Sequence, residues 1–136
     1  NSENKILQTF YIEKPINVKK ILSKFNFNQN TSIVFSLYKG EQINESFLLY
    51  RGKIPGNYFI SVPKSYNELS LNSLNLTVGI YTLYIYIEQP DKNAIIYCNE
   101  KPSFKNYSNL KIIKRIENKD IIYNTNCVLD FIFEIE

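Results

Sequence analysis

The chain offers few side chains suited to catalysis, and carboxylates are the main ones. It contains no histidine, which excludes a histidine general base, a histidine-based triad and histidine metal ligands. Glycosidases need two carboxylates across a cleft, roughly 5 to 10 Å apart. The close pairs of acids are Glu88 with Asp91, Glu117 with Asp120, and Asp130 with Glu134. Because two pairs flank turns and the third fits the wet side of an edge strand, no enzyme is predicted.

Metal and cofactor chemistry has little support in the sequence. The chain has only Asp91, Asp120 and Asp130 as aspartates, and no Asp-rich loop for Ca²⁺. Two cysteines alone cannot build a zinc site. The stretch YRGKIPGN, residues 50–57, lacks the Gly-Lys-Ser/Thr ending of a phosphate-binding loop. The sequence therefore predicts no metal and no cofactor.

The two cysteines leave the redox compartment open. Cys98 ends one predicted strand and Cys127 starts another, so a disulfide between neighbouring strands is geometrically feasible. Such a bond would stabilise the fold by about 2 to 4 kcal/mol. The alternative is a pair of buried free thiols. Glycosylation sequons occur at Asn30, Asn44, Asn75 and Asn106. About two sequons would arise by chance in a chain of this composition.

Two tyrosines are the main candidates for ligand binding. In GIYTLYIYIEQ, residues 79–89, alternation puts Tyr81 on the same face as three aliphatic residues, and Tyr84 and Tyr86 on the other. Tyrosine stacks on sugar rings and forms hydrogen bonds at its polar end. The strand thus predicts a ligand-binding face at Tyr84 and Tyr86. The alternative is ordinary packing under a loop such as residues 99–109.

A modest basic cluster adds two further candidates, Lys114 and Arg115, within LKIIKRIENK at residues 110–119. These cations fit an anionic partner, such as an acidic glycan or an oppositely charged protein. The alternative is a solvated face, or a charged edge that prevents unwanted strand pairing. The net charge of +3 is spread along the chain and arginine is scarce. Nucleic-acid binders concentrate positive charge and arginine, so no nucleic-acid partner is predicted.

Period-two alternation places these side chains on β-strands. Short runs rich in Ile, Val, Tyr and Phe predict strands at residues 6–12, 16–27, 31–38, 46–52, 57–63, 68–71, 80–88, 94–98, 109–116, 120–123 and 127–135. Glycine, proline, asparagine and aspartate separate the runs, which is typical of turns. A change of phase at Lys19–Lys20 predicts a bulge or bend. Residues 17–25 also match an amphipathic helix, which is the alternative to a strand there.

These elements predict a single all-β domain spanning residues 1–136. About ten short strands separated by regular turns favour an antiparallel two-sheet β-sandwich of jelly-roll type. No apolar run approaches the ~20 residues that span a bilayer, so no membrane insertion is predicted.

The order of motifs resembles that of galactose-binding-like domains and carbohydrate-binding modules. The chain opens with QTFYIEKPINVKKI, continues with LNLTVGIYTLYIYIE and closes on VLDFIFEI. Gly79 and Tyr81 match the family's Gly-x-Tyr element, and Asp130 and Phe133 match its closing strand. These are framework positions, so the resemblance implies a jelly-roll fold but assigns no ligand residue. The chain lacks the tryptophan on which many sugar-binding members stack their ligand.

The sequence therefore predicts a non-catalytic binding module of a secreted, cell-surface or viral protein, with carbohydrate as its ligand. The alternative is a structural or assembly domain that contacts other proteins, for example in a phage tail, capsid or surface scaffold. The expected location is extracellular, on a cell surface or on a virion. Either function is compatible with a homo-oligomer.

Overall fold

The protein is an antiparallel all-β structure in the part of the chain that the computed structural model describes. The described residues are 5–26, 32–54, 66–88, 95–96, 98–99, 111–125, 128–129 and 131–135. Within them no α-helix occurs, and the one helical element is a 3₁₀ turn at Glu45–Phe47. This confirms the all-β class and the antiparallel pairing, while the jelly-roll arrangement stays a prediction.

Twelve strands are described, and all of their pairings are antiparallel. The strands are β1 (Lys5–Ile12), β2 (Ile16–Asn26), β3 (Ile33–Lys39), β4 (Leu48–Ile54), β5 (Tyr66–Leu76), β6 (Gly79–Ile87), β7 (Ile95–Ile96), β8 (Cys98–Asn99), β9 (Lys111–Ile116), β10 (Lys119–Asn124), β11 (Val128–Leu129) and β12 (Phe131–Ile135). One sheet has the order β10-β9-β1-β6-β3-β4. A second has the order β12-β2-β5 with β7 paired to β2, and β8 pairs with β11.

The six-stranded sheet has two chemically different faces. One face, called here the core face, carries Tyr81, Leu83 and Ile85 of β6, all of them buried. Their neighbours Tyr84 and Tyr86 point to the opposite side, called here the outer face, because successive side chains of a strand alternate. The prediction that Tyr81 shares one face with aliphatic residues and that Tyr84 and Tyr86 lie on the other is therefore confirmed at these five positions.

A single hydrophobic cluster joins the two sheets. Its buried members are Ile6, Phe10 and Ile12 of β1, Val18 and Ile21 of β2, Ile33, Phe35 and Leu37 of β3, Leu69, Leu71 and Leu76 of β5, and Tyr81, Leu83 and Ile85 of β6. Because β2 and β5 belong to the second sheet, the core lies between surfaces contributed by both sheets. Burial of these apolar side chains is the main force that holds the sheets together.

Tyr81 is a framework residue, as predicted. Its ring stacks on Phe10 with centroids 5.9 Å apart, and its hydroxyl donates to the Thr77 carbonyl oxygen at 2.8 Å. Gly79, two residues earlier, has a φ of +148°, which glycine adopts without steric strain. The Gly-x-Tyr element thus serves the fold.

The predicted irregularity in β2 is present, and the helical alternative for residues 17–25 is wrong. Val18 pairs with Ile135 of β12, and Lys20 pairs with the preceding residue, Glu134, so Lys19 is the extra residue of a bulge. Because the bulge shifts the alternation of β2 by one residue, Val18 and Ile21 both face the core, and both are buried. Most other predicted strands match described ones, but residues 57–63 lie outside the described part of the chain.

A tight hairpin joins β9 to β10. Ile116 pairs with Lys119, and the two residues between them, Glu117 and Asn118, have φ angles of 50° and 65°. Positive φ at both central positions is the geometry of a type I′ turn, whose twist matches that of the flanking strands. Glu117 and Asp120 are exposed around this turn, as expected for solvated acids.

No helix among the described residues is long and apolar enough to cross a membrane.

Candidate functional site

A cleft on the outer face brings the two candidate tyrosines together. It has a volume of about 220 Å³ and is lined by Val34 and Ser36 of β3, Arg51 of β4, and Tyr84 and Tyr86 of β6. Both tyrosines are half-buried. The cleft is a small concave surface that combines aromatic rings with polar groups.

Strand register explains why these side chains meet. Ser36 pairs with Arg51 on one side and with Tyr84 on the other, so these three residues form a row across the sheet. Val34 pairs with Tyr86 in the next outward-facing row. Directly opposed residues of neighbouring strands hold their Cβ atoms about 5 Å apart, which places all five side chains around one point.

Arg51 is the most highly connected side chain of the cleft. Its Nη1 and Nη2 donate to the two carboxylate oxygens of Glu45 at 2.7 and 2.8 Å, which is a bidentate pair. Nη2 also donates to the Tyr38 hydroxyl at 2.9 Å, and Nε donates to Ser36 Oγ at 2.9 Å. The Tyr38 hydroxyl in turn donates to Glu45 Oε2 at 2.8 Å. This network fixes the guanidinium at the side of the cleft.

The network shifts the protonation equilibria of its members. Hydrogen bonds from Arg51 and then Tyr38 hold the pKa of the Glu45 carboxyl below its usual range, and the hydrogen bond to Glu45 raises the pKa of Arg51. Burial is the main cause that raises the pKa of Tyr38, followed by its hydrogen bond to Glu45. Burial also raises the pKa of Tyr84 to about 12. Near neutral pH the site therefore presents one ion pair, with Tyr38 and Tyr84 protonated.

Residues 40–47, called here the strap, connect β3 to β4 and fold back over the outer face. Gly40 anchors the start of the strap, because its N–H donates to the Ile80 carbonyl and its own carbonyl accepts from Thr82 Oγ1, both at 2.7 Å. Asn44 organises the end, where its Oδ1 accepts from the Ser46 N–H at 3.0 Å. This cap directs Glu45 toward Arg51.

A second cavity of about 270 Å³ lies on the same face, beside the first part of the strap. Its lining is Leu7 and Thr9 of β1, Glu41, Gln42 and Ile43 of the strap, Thr82 of β6, Lys111 and Ile113 of β9, and Ile122 of β10. Lys111 Nζ lies 3.6 Å from Glu41 Oε1 at its rim. Thr82 of β6 lines this cavity and Tyr84 and Tyr86 line the cleft, so the outer face offers two separate recesses along β6 rather than a flat sheet surface.

Two lysines lie close to the tyrosine cleft. The ammonium group of Lys5, whose residue pairs with Tyr86 across β1 and β6, lies 5.4 Å from the centre of the Tyr86 ring. This is a cation–π contact between neighbouring strands of the sheet. Lys53 Nζ forms an ion pair with Glu88 Oε1 at 2.8 Å.

The predicted basic residues lie farther away in the sheet. Lys114 and Arg115 belong to β9, where their backbones pair with Ile121 and Asp120, and β1 separates β9 from β6. Their side chains are outside the described part of the structure, so their role in binding stays a prediction.

The predicted disulfide is likewise untested. Cys98 lies in β8 opposite Leu129 of β11, two positions after Cys127 in the sequence. Cys127 lies outside the described residues. Within the described residues no cluster of three metal-ligating side chains occurs.

Sequence reasoning missed Arg51 and Glu45, which form the polar part of the cleft. Arg51 is one of two arginines in a lysine-rich chain, and an acid precedes it by six residues. A rare arginine on a predicted strand was an available signal. What the sequence did not show was that the strap would return Glu45 to the same face.

Comparison with protein-family models, with curated proteins and with solved structures gave no match. The resemblance to galactose-binding-like domains therefore depends on the sequence motifs alone.

Proposed function

We propose that the protein is a non-catalytic binding module of jelly-roll type that recognises carbohydrate in the cleft of the outer face. The observation that carries the proposal is the pair of half-buried tyrosines, Tyr84 and Tyr86, beside the fixed Arg51 guanidinium. Aromatic rings and a few oriented polar groups are what sugar rings need, since one side of a sugar is apolar and its rim carries hydroxyls.

The composition of the cleft supports binding more than packing. Tyr38 on the same face is buried and its hydroxyl is engaged with Glu45, whereas Tyr84 and Tyr86 retain accessible surface. The Ser36 hydroxyl accepts from Arg51 at the buried floor of the cleft. The second cavity lies on the same face, with Thr82 of β6 in its lining, and would give an oligosaccharide further contacts.

A glycan array probed with the purified protein tests this proposal. We expect signals for oligosaccharides, with longer chains binding more tightly than the corresponding monosaccharides because they reach the second cavity. We place the protein outside the cell, on a cell surface or on a virion, where such ligands occur. No signal for any glycan, together with a discrete dimer or trimer in size-exclusion chromatography, would overturn the proposal.

An assembly role is the second candidate, and β10 is the observation that favours it. β10 stands at one end of the described six-stranded sheet, and all six of its residues are exposed. Its apolar residues Ile121, Ile122 and Tyr123 are among the exposed large hydrophobic side chains. An exposed apolar edge strand is a template for pairing with another chain.

Size-exclusion chromatography with light scattering tests the assembly role. Ile122 and Ile135 are each 56% exposed, the first on β10 and the second on β12 of the other sheet. If β10 mediates assembly, Ile122→Lys gives a monomer while Ile135→Lys leaves the oligomer intact. A monomeric wild-type protein, or equal effects of the two substitutions, would exclude assembly through β10.

A further inference from the structure

Three of the cations that border the two cavities are paired with a carboxylate of the same chain, whereas Lys5 lies against the Tyr86 ring. The pairs are Arg51 with Glu45 at 2.7 Å, Lys53 with Glu88 at 2.8 Å, and Lys111 with Glu41 at 3.6 Å. Two carboxylates come from the strap and Glu88 directly follows β6, whereas the cations come from β4 and β9. The positive charges of Arg51, Lys53 and Lys111 are therefore balanced locally.

The pairing of Arg51 with Glu45 determines whether the cleft favours neutral or acidic sugars. An acidic sugar would need a cation, and the one that lines the cleft is Arg51. Both terminal nitrogens of Arg51 already donate to Glu45, so an incoming carboxylate or sulfate would meet the negative charge of Glu45 or would have to displace it. A neutral sugar meets no such repulsion, and its ring can contact Tyr84 and Tyr86.

We propose that the cleft selects uncharged carbohydrates and that Glu45 is the specificity-determining residue that excludes acidic ones. This inference rests on the proposed carbohydrate function. Glu45 acts by neutralising Arg51, not by contacting the sugar itself. Removing its charge while keeping its shape would expose the guanidinium to an anionic ligand.

The experiment compares matched oligosaccharides and matched variants. The probes are a neutral lactose-type oligosaccharide and its sialylated counterpart, or the best neutral array hit and its sialylated or sulfated form. The variants are Glu45→Gln and the control Glu68→Gln. Glu68 also forms an ion pair, with Lys20 at 2.6 Å, but it lies on β5 of the other sheet. Binding is measured by biolayer interferometry after urea unfolding confirms that each variant is folded.

We expect the wild type and Glu68→Gln to prefer the neutral probe. Glu45→Gln should raise the affinity for the acidic probe about tenfold, as expected for one unmasked charge-assisted contact. The double variant Glu45→Gln/Arg51→Gln should lose that gain, because the cation is gone. This result would show that the gain in affinity for the acidic probe depends on Arg51.

Three outcomes would overturn the inference. A wild type that prefers the acidic probe would refute neutral selectivity and leave the carbohydrate function standing. Neutral binding with no gain in Glu45→Gln would remove Glu45 from the specificity determinants. Absence of binding to every probe would refute the carbohydrate function itself, and the inference with it.

Discussion

The two faces of the six-stranded sheet are built on the same strands and have opposite character. On the core face, Leu83 and Ile85 are fully buried among apolar neighbours from both sheets. On the outer face, Tyr84 and Tyr86 border a cleft beside a bidentate ion pair. Stability requires the first arrangement. Among the described residues the core does not require the second, so the outer face is the better candidate for function.

The outer face is itself held in shape by a connection, the strap. Glu45 bonds to Arg51 and Tyr38 at one end, and Glu41 approaches Lys111 at the other. These contacts join residues from both halves of the sheet without filling the space between them. A face organised by polar contacts and left partly open is typical of a binding surface.

The largest expected effect on stability comes from comparing substitutions at Leu83 and Tyr84, which are neighbours on opposite faces of the sheet. Leu83→Ala removes a fully buried side chain and should lower the free energy of unfolding by about 3 kcal/mol. Tyr84→Ser, one position later on the half-buried outer face, should lower it by only about 1 kcal/mol. Urea unfolding of the two variants measures both values. Equal losses would mean that the two faces are packed alike, which would contradict the comparison.

Gly52 offers a second test of the core face. A Cβ added there would lie 2.5 Å from Cζ of Phe35, so Gly52→Ala would force the ring to move. Overpacking of this kind costs about 1 to 3 kcal/mol, and the same unfolding assay measures it. Ligand binding on the outer face should persist in the folded variant. Unchanged stability would show that Phe35 has room to relax.

The smallest expected effect concerns the strap and depends on pH. The folded state holds the pKa of Glu45 below the ordinary value of 4.5. Its carboxylate therefore contributes stability above that value, and the contribution is lost as the pH falls through the lowered pKa. Glu45→Gln should be slightly less stable than wild type near neutral pH, and the difference should vanish in acid once the pH falls below the lowered pKa. A difference independent of pH would show that the ion pair does not stabilise the strap.

Local pattern predicted the strands, because alternation in sequences such as IYTLYIYI determines which residues can face a core. It also placed Tyr84 and Tyr86 away from Tyr81 and located the bulge at Lys19. The cleft was less predictable, because it depends on strand order. Arg51 and Tyr84 are far apart in sequence, and only the pairing of both β4 and β6 with β3 brings them together. The position of Glu45 beside Arg51 depends, in addition, on the path of the strap over the outer face.

The central claim is that Tyr84 and Tyr86 bind a ligand and do not serve mainly as packing. The most direct test measures stability and oligosaccharide binding in the same variant, Tyr84→Ser/Tyr86→Ser. We predict that the variant stays folded, loses less unfolding free energy than Leu83→Ala, and binds its best array ligand at least about tenfold more weakly. A variant as unstable as Leu83→Ala that, where folded, still binds the ligand with wild-type affinity would contradict the claim.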